Sequence, residues 1–352
     1  MRAHRQTGSR RLAAFAFAVC MVAPTFACAE SSSWFQRSDE KAPAKSDRPK
    51  SKSGAPPAAK PGEIKSIVPA TGDDAAYLAF DQGQYLTALK LAQEAAARGE
   101  PQANTLIARI YAEGLGVAKD EKAAVAAYRR AADLGDVAGA FGLGLMLAQG
   151  RGAEKDLEGA AKMFEQAALT GHAEANYNLG LMFLRGTGKP ENPARAFQHI
   201  RYAAEKGIAQ AQYDLAAMYQ AGSGVEPDAR EIAIWMSRAA EQGLAVAQLD
   251  YALLLLKGLG LTKDEPKAPA LMRSAAEKGV GAAQNRLAYM HLEGAGVAKN
   301  LVEAAKWRLI AKQNGVDDKV LDEAIAKISK ADLQKATMAA AAWSDRIQVM
   351  PQ

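Results

Sequence analysis

Beyond residue 28 the 352-residue sequence contains no cysteine, because its two, Cys20 and Cys28, both fall near the start. This excludes a disulfide framework and a cysteine-based zinc site from the rest of the chain. Histidine is nearly as scarce. His172, His199 and His291 are the three past the first thirty residues, none has a second ligand at metal-binding spacing, and they read as surface or loop histidines. A long apolar run is also missing: the stretch from Leu12 to Val22 falls short of the roughly 20 residues that span a bilayer, and no later segment is apolar enough to span. Charge of one sign is lacking too. Arg2, Arg5, Arg10 and Arg11 supply most of the formal excess of +5, and the chain from residue 30 onward holds 40 basic against 39 acidic residues. A nearly neutral chain has no general electrostatic attraction for nucleic acid or an anionic membrane surface.

Catalytic signatures are absent as well. There is no Gly-x-Ser-x-Gly elbow, and carboxylates are spread along the chain rather than paired in one motif. Gly186-Thr-Gly-Lys189 resembles a phosphate loop only in part, lacking the leading glycine and the hydroxyl residue after the lysine. These absences point to a protein that is not an enzyme and uses neither metal nor cofactor.

The start has its own pattern. Arginines, a short apolar stretch and then Ala27-Cys28-Ala29 form a secretory signal peptide over 1–29, with cleavage after Ala29 and a periplasmic destination. No membrane insertion is expected after cleavage. Residues 30–72 are dominated by Ser, Pro, Lys, Ala and Asp, with too few large apolar side chains to offset the entropy of ordering, and read as a disordered linker.

The chain after the linker is organised by glycine. Gly99, Gly135, Gly171, Gly207, Gly243, Gly279 and Gly315 recur every 36 residues. A second ladder begins at Gly114 and a third at Gly116, and both keep that period through Gly294 and Gly296. Between them run two helical stretches per unit. In the first, a small residue such as Ala103 or Ala175 is followed four positions on by Ile107 or Leu179, and three further on by Ile110 or Met182, the stripe of an amphipathic helix. The glycine pair ends this helix. The loop then closes on Asp120, Asp156, Asn192, Asp228, Asp264 or Asn300, which read as N-caps of the second helix. Glu231 and Glu303, three residues after their caps, suggest capping boxes. The second helix ends in an Ala-Ala pair and carries Tyr128, Phe164, Trp235 or Trp307 on its remaining apolar face. The fold class read from this pattern is all-α, a right-handed superhelical solenoid of helix-turn-helix repeats.

Leu179-Gly180, an aromatic such as Tyr111 or Tyr219, the loop Gly114-Leu-Gly-Val117 and the close Ala203-Ala-Glu-Lys-Gly207 resemble the SEL-one-like repeat, a relative of the tetratricopeptide repeat with a longer inter-helix loop. Six full copies cover 100–315, preceded by a shorter tetratricopeptide-like unit over 73–99 with Gln82-Gly83-Gln84 as its turn, so the repeat solenoid covers 73–315. Residues 316–352 lose the register and read as capping helices, with Leu321, Ile325, Ile328 and Leu333 covering the last apolar face and Trp343 packed against them.

The resemblance implies a curved array with the first helices lining its concave side. One ladder there carries Thr105, Phe141, Tyr177, Tyr213, Leu249 and Asn285, and another carries Arg109, Leu145, Leu181, Ala217, Leu253 and Tyr289, with Arg185, Gln220 and Lys257 alongside. Such a strip suits an extended or helical peptide. The competing reading is that these side chains pack between adjacent helices. Within the family the resemblance implies a protein-binding scaffold or regulator of the bacterial cell envelope, including restraint of a sensor kinase of exopolysaccharide production. The alternative it offers is a cell-wall or β-lactam-binding enzyme, but members of that kind carry paired cysteines in each repeat, absent here beyond residue 28.

Overall fold

A computed structural model of the chain describes residues 73–349. The expectations for the leader, 1–29, and the linker, 30–72, lie outside the described residues. Among these, all regular structure is helical. A short pair, α1 (Asp73–Asp81) and α2 (Tyr85–Ala97), precedes six A/B pairs. They are α3 (Pro101–Glu113) with α4 (Glu121–Asp133), α5 (Val137–Gln149) with α6 (Leu157–Leu169), α7 (Ala173–Arg185) with α8 (Pro193–Glu205), α9 (Ala209–Ala221) with α10 (Ala229–Glu241), α11 (Ala245–Lys257) with α12 (Ala268–Glu277), and α13 (Gly281–Glu293) with α14 (Leu301–Gln313). Then come α15 (Lys319–Ile325) and α16 (Lys330–Val349). From α1 to α14 each helix packs on the next, so the described chain is an α-helical solenoid.

The glycine ladders have separate tasks. Gly114, Gly150, Gly186, Gly222, Gly258 and Gly294 close the A helices in the left-handed conformation, with φ between 66° and 79°. The glycine two residues later lets the loop lie on the preceding repeat. A Cβ on Gly152, Gly188, Gly224 or Gly260 would collide with the carbonyl of Glu121, Leu157, Pro193 or Ala229, each the first residue of the previous B helix. Local turn chemistry and the stacking of neighbouring units therefore reinforce one another.

Most B helices start at their predicted caps. Asp120, Asp156 and Asn192 accept from the backbone N–H three residues on at 2.8 to 3.0 Å. Asp228 and Asn300 accept from two amides each. The expectation for Asp264 is corrected: its carboxylate accepts only from Lys267 N, and α12 begins at Ala268 with ten residues where the other repeat helices have thirteen. The reason is Pro269, which would fall in the helix interior had α12 begun after Asp264. A proline there lacks the N–H and clashes with the preceding turn, so the start moves until Pro269 lies in the first turn. The capping boxes are half formed. Glu231 and Glu303 give their backbone N–H to the cap, but their carboxylates accept from the indoles of Trp235 and Trp307 one turn on, at 2.9 and 3.1 Å.

The core lies between the helix layers. Ala103, Ala124, Ala131, Ala160, Ala167 and Ala203 are fully buried, so the small-residue positions are where backbones come closest. Large side chains fill the rest, with Ile110, Met146, Leu179, Ile200 and Leu215 buried beside Tyr128, Phe164, Trp235 and Trp307. At the C-terminal end Leu321 and Ile325 are buried as expected, and Trp343 meets Trp307 edge-on at 6.0 Å. Leu333 is exposed, contrary to expectation. Ala336 and Ala340, one helical turn apart, supply the buried face of α16 in its place. None of the described helices is long and apolar enough to cross a membrane.

Candidate protein-binding face

The ladder that opens with Thr105 places one residue per repeat on the same side of each A helix, and the structure gives nearly all of them a partner in the next repeat. Thr105 donates its hydroxyl to Asp136, the cap of α5, at 2.5 Å. Phe141 stacks on His172, the cap of α7, with ring centroids 4.6 Å apart. Tyr177 donates to Asp214 Oδ2 on α9 at 2.7 Å, Tyr213 to Asp250 Oδ2 on α11 at 2.9 Å, and Asn285 to Asp318 at 2.9 Å. In the second ladder Tyr289 reaches the same Asp318 at 3.0 Å, while Arg109 pairs with Glu113 and lies over the Phe80 ring.

The ladder residues differ in what they present. Leu145, Tyr177 and Leu181 are buried, forming a floor between adjacent A helices. Phe141, Tyr213, Leu249, Leu253 and Tyr289 are half-buried, with one side turned outward. Arg185, Gln220 and Lys257 are exposed, as is Ala217 at the centre.

Asp214 and Asp250 were not singled out among the sequence's candidate site residues. Burial pushes both carboxyls above the usual range, opposed by the tyrosine hydroxyl that each accepts. Gln210 also donates to Asp214, at 3.2 Å, and Arg185 acts on it through space. The sequence carried a signal for them: each stands 37 residues after a ladder tyrosine, whereas Leu249 is followed at that interval by Arg286.

A second set of polar residues lies deeper. Gln212, Gln248 and Gln284 each donate their side-chain amide, at 3.0 to 3.2 Å, to an alanine carbonyl in the last turn of the preceding B helix. This satisfies acceptors that a helix end leaves open. Asn176 does the same more weakly, at 3.4 Å.

His172 is a loop residue as expected, whereas His199 and His291 lie on α8 and α13. His172 caps α7 by accepting from Ala175 N, and His199 stacks on Phe183 with its Nδ1 2.9 Å from Asn176 Oδ1. Burial is the main force holding both below the usual imidazole value. His291 is 5% exposed, with Nδ1 donating to the Ala298 carbonyl at 3.3 Å. Lys189 of the glycine loop pairs with Glu165 at 2.8 Å. No group of His, Cys, Asp and Glu that could hold a metal ion occurs among the described residues.

The Sel1 repeat family matches six consecutive times, at 101–136, 137–172, 173–208, 209–244, 245–280 and 281–316. Among solved structures, a Sel1 repeat protein from Oxalobacter formigenes is 30% identical with a TM-score of 0.61, over 70% of this chain and 98% of that one. A protective antigen of uropathogenic Escherichia coli displaying an SLR fold is 25% identical with a TM-score of 0.51, over 80% of this chain and 72% of its own. A search of curated proteins gives no match. Proteins built from this repeat are generally protein-interaction scaffolds. Six tandem matches, each spanning one A/B pair with its glycine loop, place this chain in the Sel1 repeat family.

Proposed function

We propose that the chain is a non-catalytic scaffold or regulator of the bacterial cell envelope, holding a peptide or domain of another protein along the inner face of its A helices. The observation that carries this reading is the outward half of the ladders. Phe141, Tyr213, Leu249, Leu253 and Tyr289 are half-buried on a face that repeats every 36 residues, beside Arg185, Gln220 and Lys257. Aromatic and leucine side chains anchored on rigid helices bind at little further entropic cost, and polar neighbours supply direction. The envelope location rests on the arginine, apolar and Ala27-Cys28-Ala29 pattern of the first 29 residues. Restraint of a sensor kinase of exopolysaccharide production is the specific role that the family resemblance suggests.

The test uses Ala217→Arg, because Ala217 is exposed at the centre of the face and takes part in no clasp between repeats. A bulky cation there blocks a bound segment while leaving the stacking intact. Envelope proteins cross-linked to the wild-type chain and lost with Ala217→Arg, at unchanged circular dichroism, support the reading. An identical set with both proteins removes it.

A further inference from the structure

We propose that the fifth repeat, 245–280, is a built-in joint about which the repeats before and after it bend as two blocks. Three weaknesses meet in it, two in what ties it to its neighbours and one inside it. The first is the ladder clasp. Every other ladder residue from Thr105 to Asn285 contacts a polar or aromatic partner on the next A helix or its cap, or, for Asn285, on the cap of α15. Leu249 has no hydroxyl to donate, and Arg286 stands where Asp214 and Asp250 receive the bonds from Tyr177 and Tyr213.

The second is a bond inside the repeat, to the side-chain oxygen of the buried glutamine, whose amide still donates to the preceding B helix at Ala240. The side-chain oxygen of Gln212 accepts from Gln242 at 2.7 Å, and that of Gln284 from Asn314 at 2.8 Å, each donor thirty positions on in the turn after the B helix. The corresponding position for Gln248 is Lys278, which donates to the Gly243 carbonyl at 2.6 Å instead. Gln248 Oε1 is left buried without a partner. A buried polar atom in this state is a local weakness, and any bending that admits water relieves it.

The third is the core itself. One continuous set of buried side chains runs from Ala76 to Ala247 and a second from Ala252 to Ala340, bridged by half-buried residues of which Tyr251 touches both. The late start of α12 removes a turn of helix from the same repeat. Cooperative blocks meet where buried apolar contact is least. Bending here changes the separation of Tyr213 from Tyr289, and so the curvature of the whole A-helix face. The inference stands on contacts between and within repeats and does not require a partner to be bound.

The experiment measures distances between spin labels in the full chain carrying Cys20→Ser and Cys28→Ser. The repeat position held by Asp133 is exposed in every copy, so two pairs matched in spacing are available: Asp133→Cys with Glu205→Cys inside the first block, and Glu241→Cys with Gln313→Cys across the joint. The pair across the joint is expected to have the broader distribution. Leu249→Tyr with Arg286→Asp and Lys278→Gln, which together restore the clasp and the amide partner, narrow it toward that of the matched pair. Lys278→Gln alone, at an exposed site, narrows it in part and serves as the variant least able to disturb folding. Equal widths in the two wild-type pairs, or a width across the joint that the folded restoring variants leave unchanged, overturn the proposal.

Discussion

A tyrosine hydroxyl facing a neighbouring helix must either reach water or find an acceptor, and Tyr177 and Tyr213 both find a carboxylate on the next repeat. The cost falls on the acid. Asp250 accepts from Tyr213, and burial raises its carboxyl above the ordinary 3.8, so folding favours the neutral form. The unfolded chain therefore binds fewer protons at this residue than the folded chain as pH falls toward 3.8. Ionised Asp250 costs stability at neutral pH, and the cost fades as pH drops through its raised folded value. Asp250→Asn keeps an oxygen for the tyrosine and removes the charge. It is expected to stabilise the protein at pH 7 by of order 1 kcal/mol, an advantage that shrinks on acidification. Thermal melts of both proteins at pH 7 and pH 4 check this, and an advantage that persists or grows at pH 4 contradicts it. Lys278→Gln belongs to the same scale. Supplying the missing donor to Gln248 Oε1, at the loss of one exposed lysine bond, raises the melting free energy by about 1 kcal/mol.

At the scale of the element, the loops matter more than the helices. Gly207 and Gly188 both have positive φ, but a Cβ on Gly207 meets nothing, while one on Gly188 meets the Leu157 carbonyl and Met182. Gly207→Ala should cost roughly 1–2 kcal/mol, the ordinary penalty of a left-handed residue. Gly188→Ala adds a backbone collision and should cost distinctly more, because the loop must lift off the start of α6. Urea denaturation of the two variants separates these effects. The glycine ladders made helix ends, loop lengths and repeat number legible, since few other patterns demand glycine at three fixed positions. The departure in α12 is not legible from the period, which places the helix start after Asp264; it follows from the local chemistry of Pro269. The ladders are legible as one position repeated in each A helix. Their pairing with the acids 37 residues on was missed, since it needs the stacking offset between repeats, which a sequence period alone does not supply.

A solenoid in which each unit touches only its neighbours has no single core, so its ends and joints set how it comes apart. The C-terminal end is held by charge. Arg308 is 1% exposed and donates to both oxygens of Asp322, at 2.7 and 3.0 Å, and to Asn285 and the Val316 carbonyl. The Arg308 guanidinium, with Lys312, holds the Asp322 carboxyl below its ordinary 3.8. Asp318 is also lowered: burial opposes ionisation, but bonds from Leu321 N, Asn285 and Tyr289 outweigh it. A lowered folded value means stability that is complete above 3.8 and lost as pH falls through the folded value. Asp214 and Asp250, in the middle of the array, have the opposite sign and gain on acidification. Acid therefore loosens α15 and α16 before the central repeats. As pH falls through the lowered values of Asp318 and Asp322, below 3.8, the edge-on contact of Trp307 with Trp343 should be lost while helicity falls only in part, which tryptophan fluorescence of a Trp34→Phe, Trp235→Phe chain and far-ultraviolet circular dichroism together record. Arg308→Met, which leaves Asp322 without its buried partner, should bring the same separation at neutral pH, with hydrogen exchange accelerated in α13 to α16 and unchanged in α3 to α8. Loss of protection spread evenly along the array would mean that the repeats unfold as one unit and that the end is not independently held.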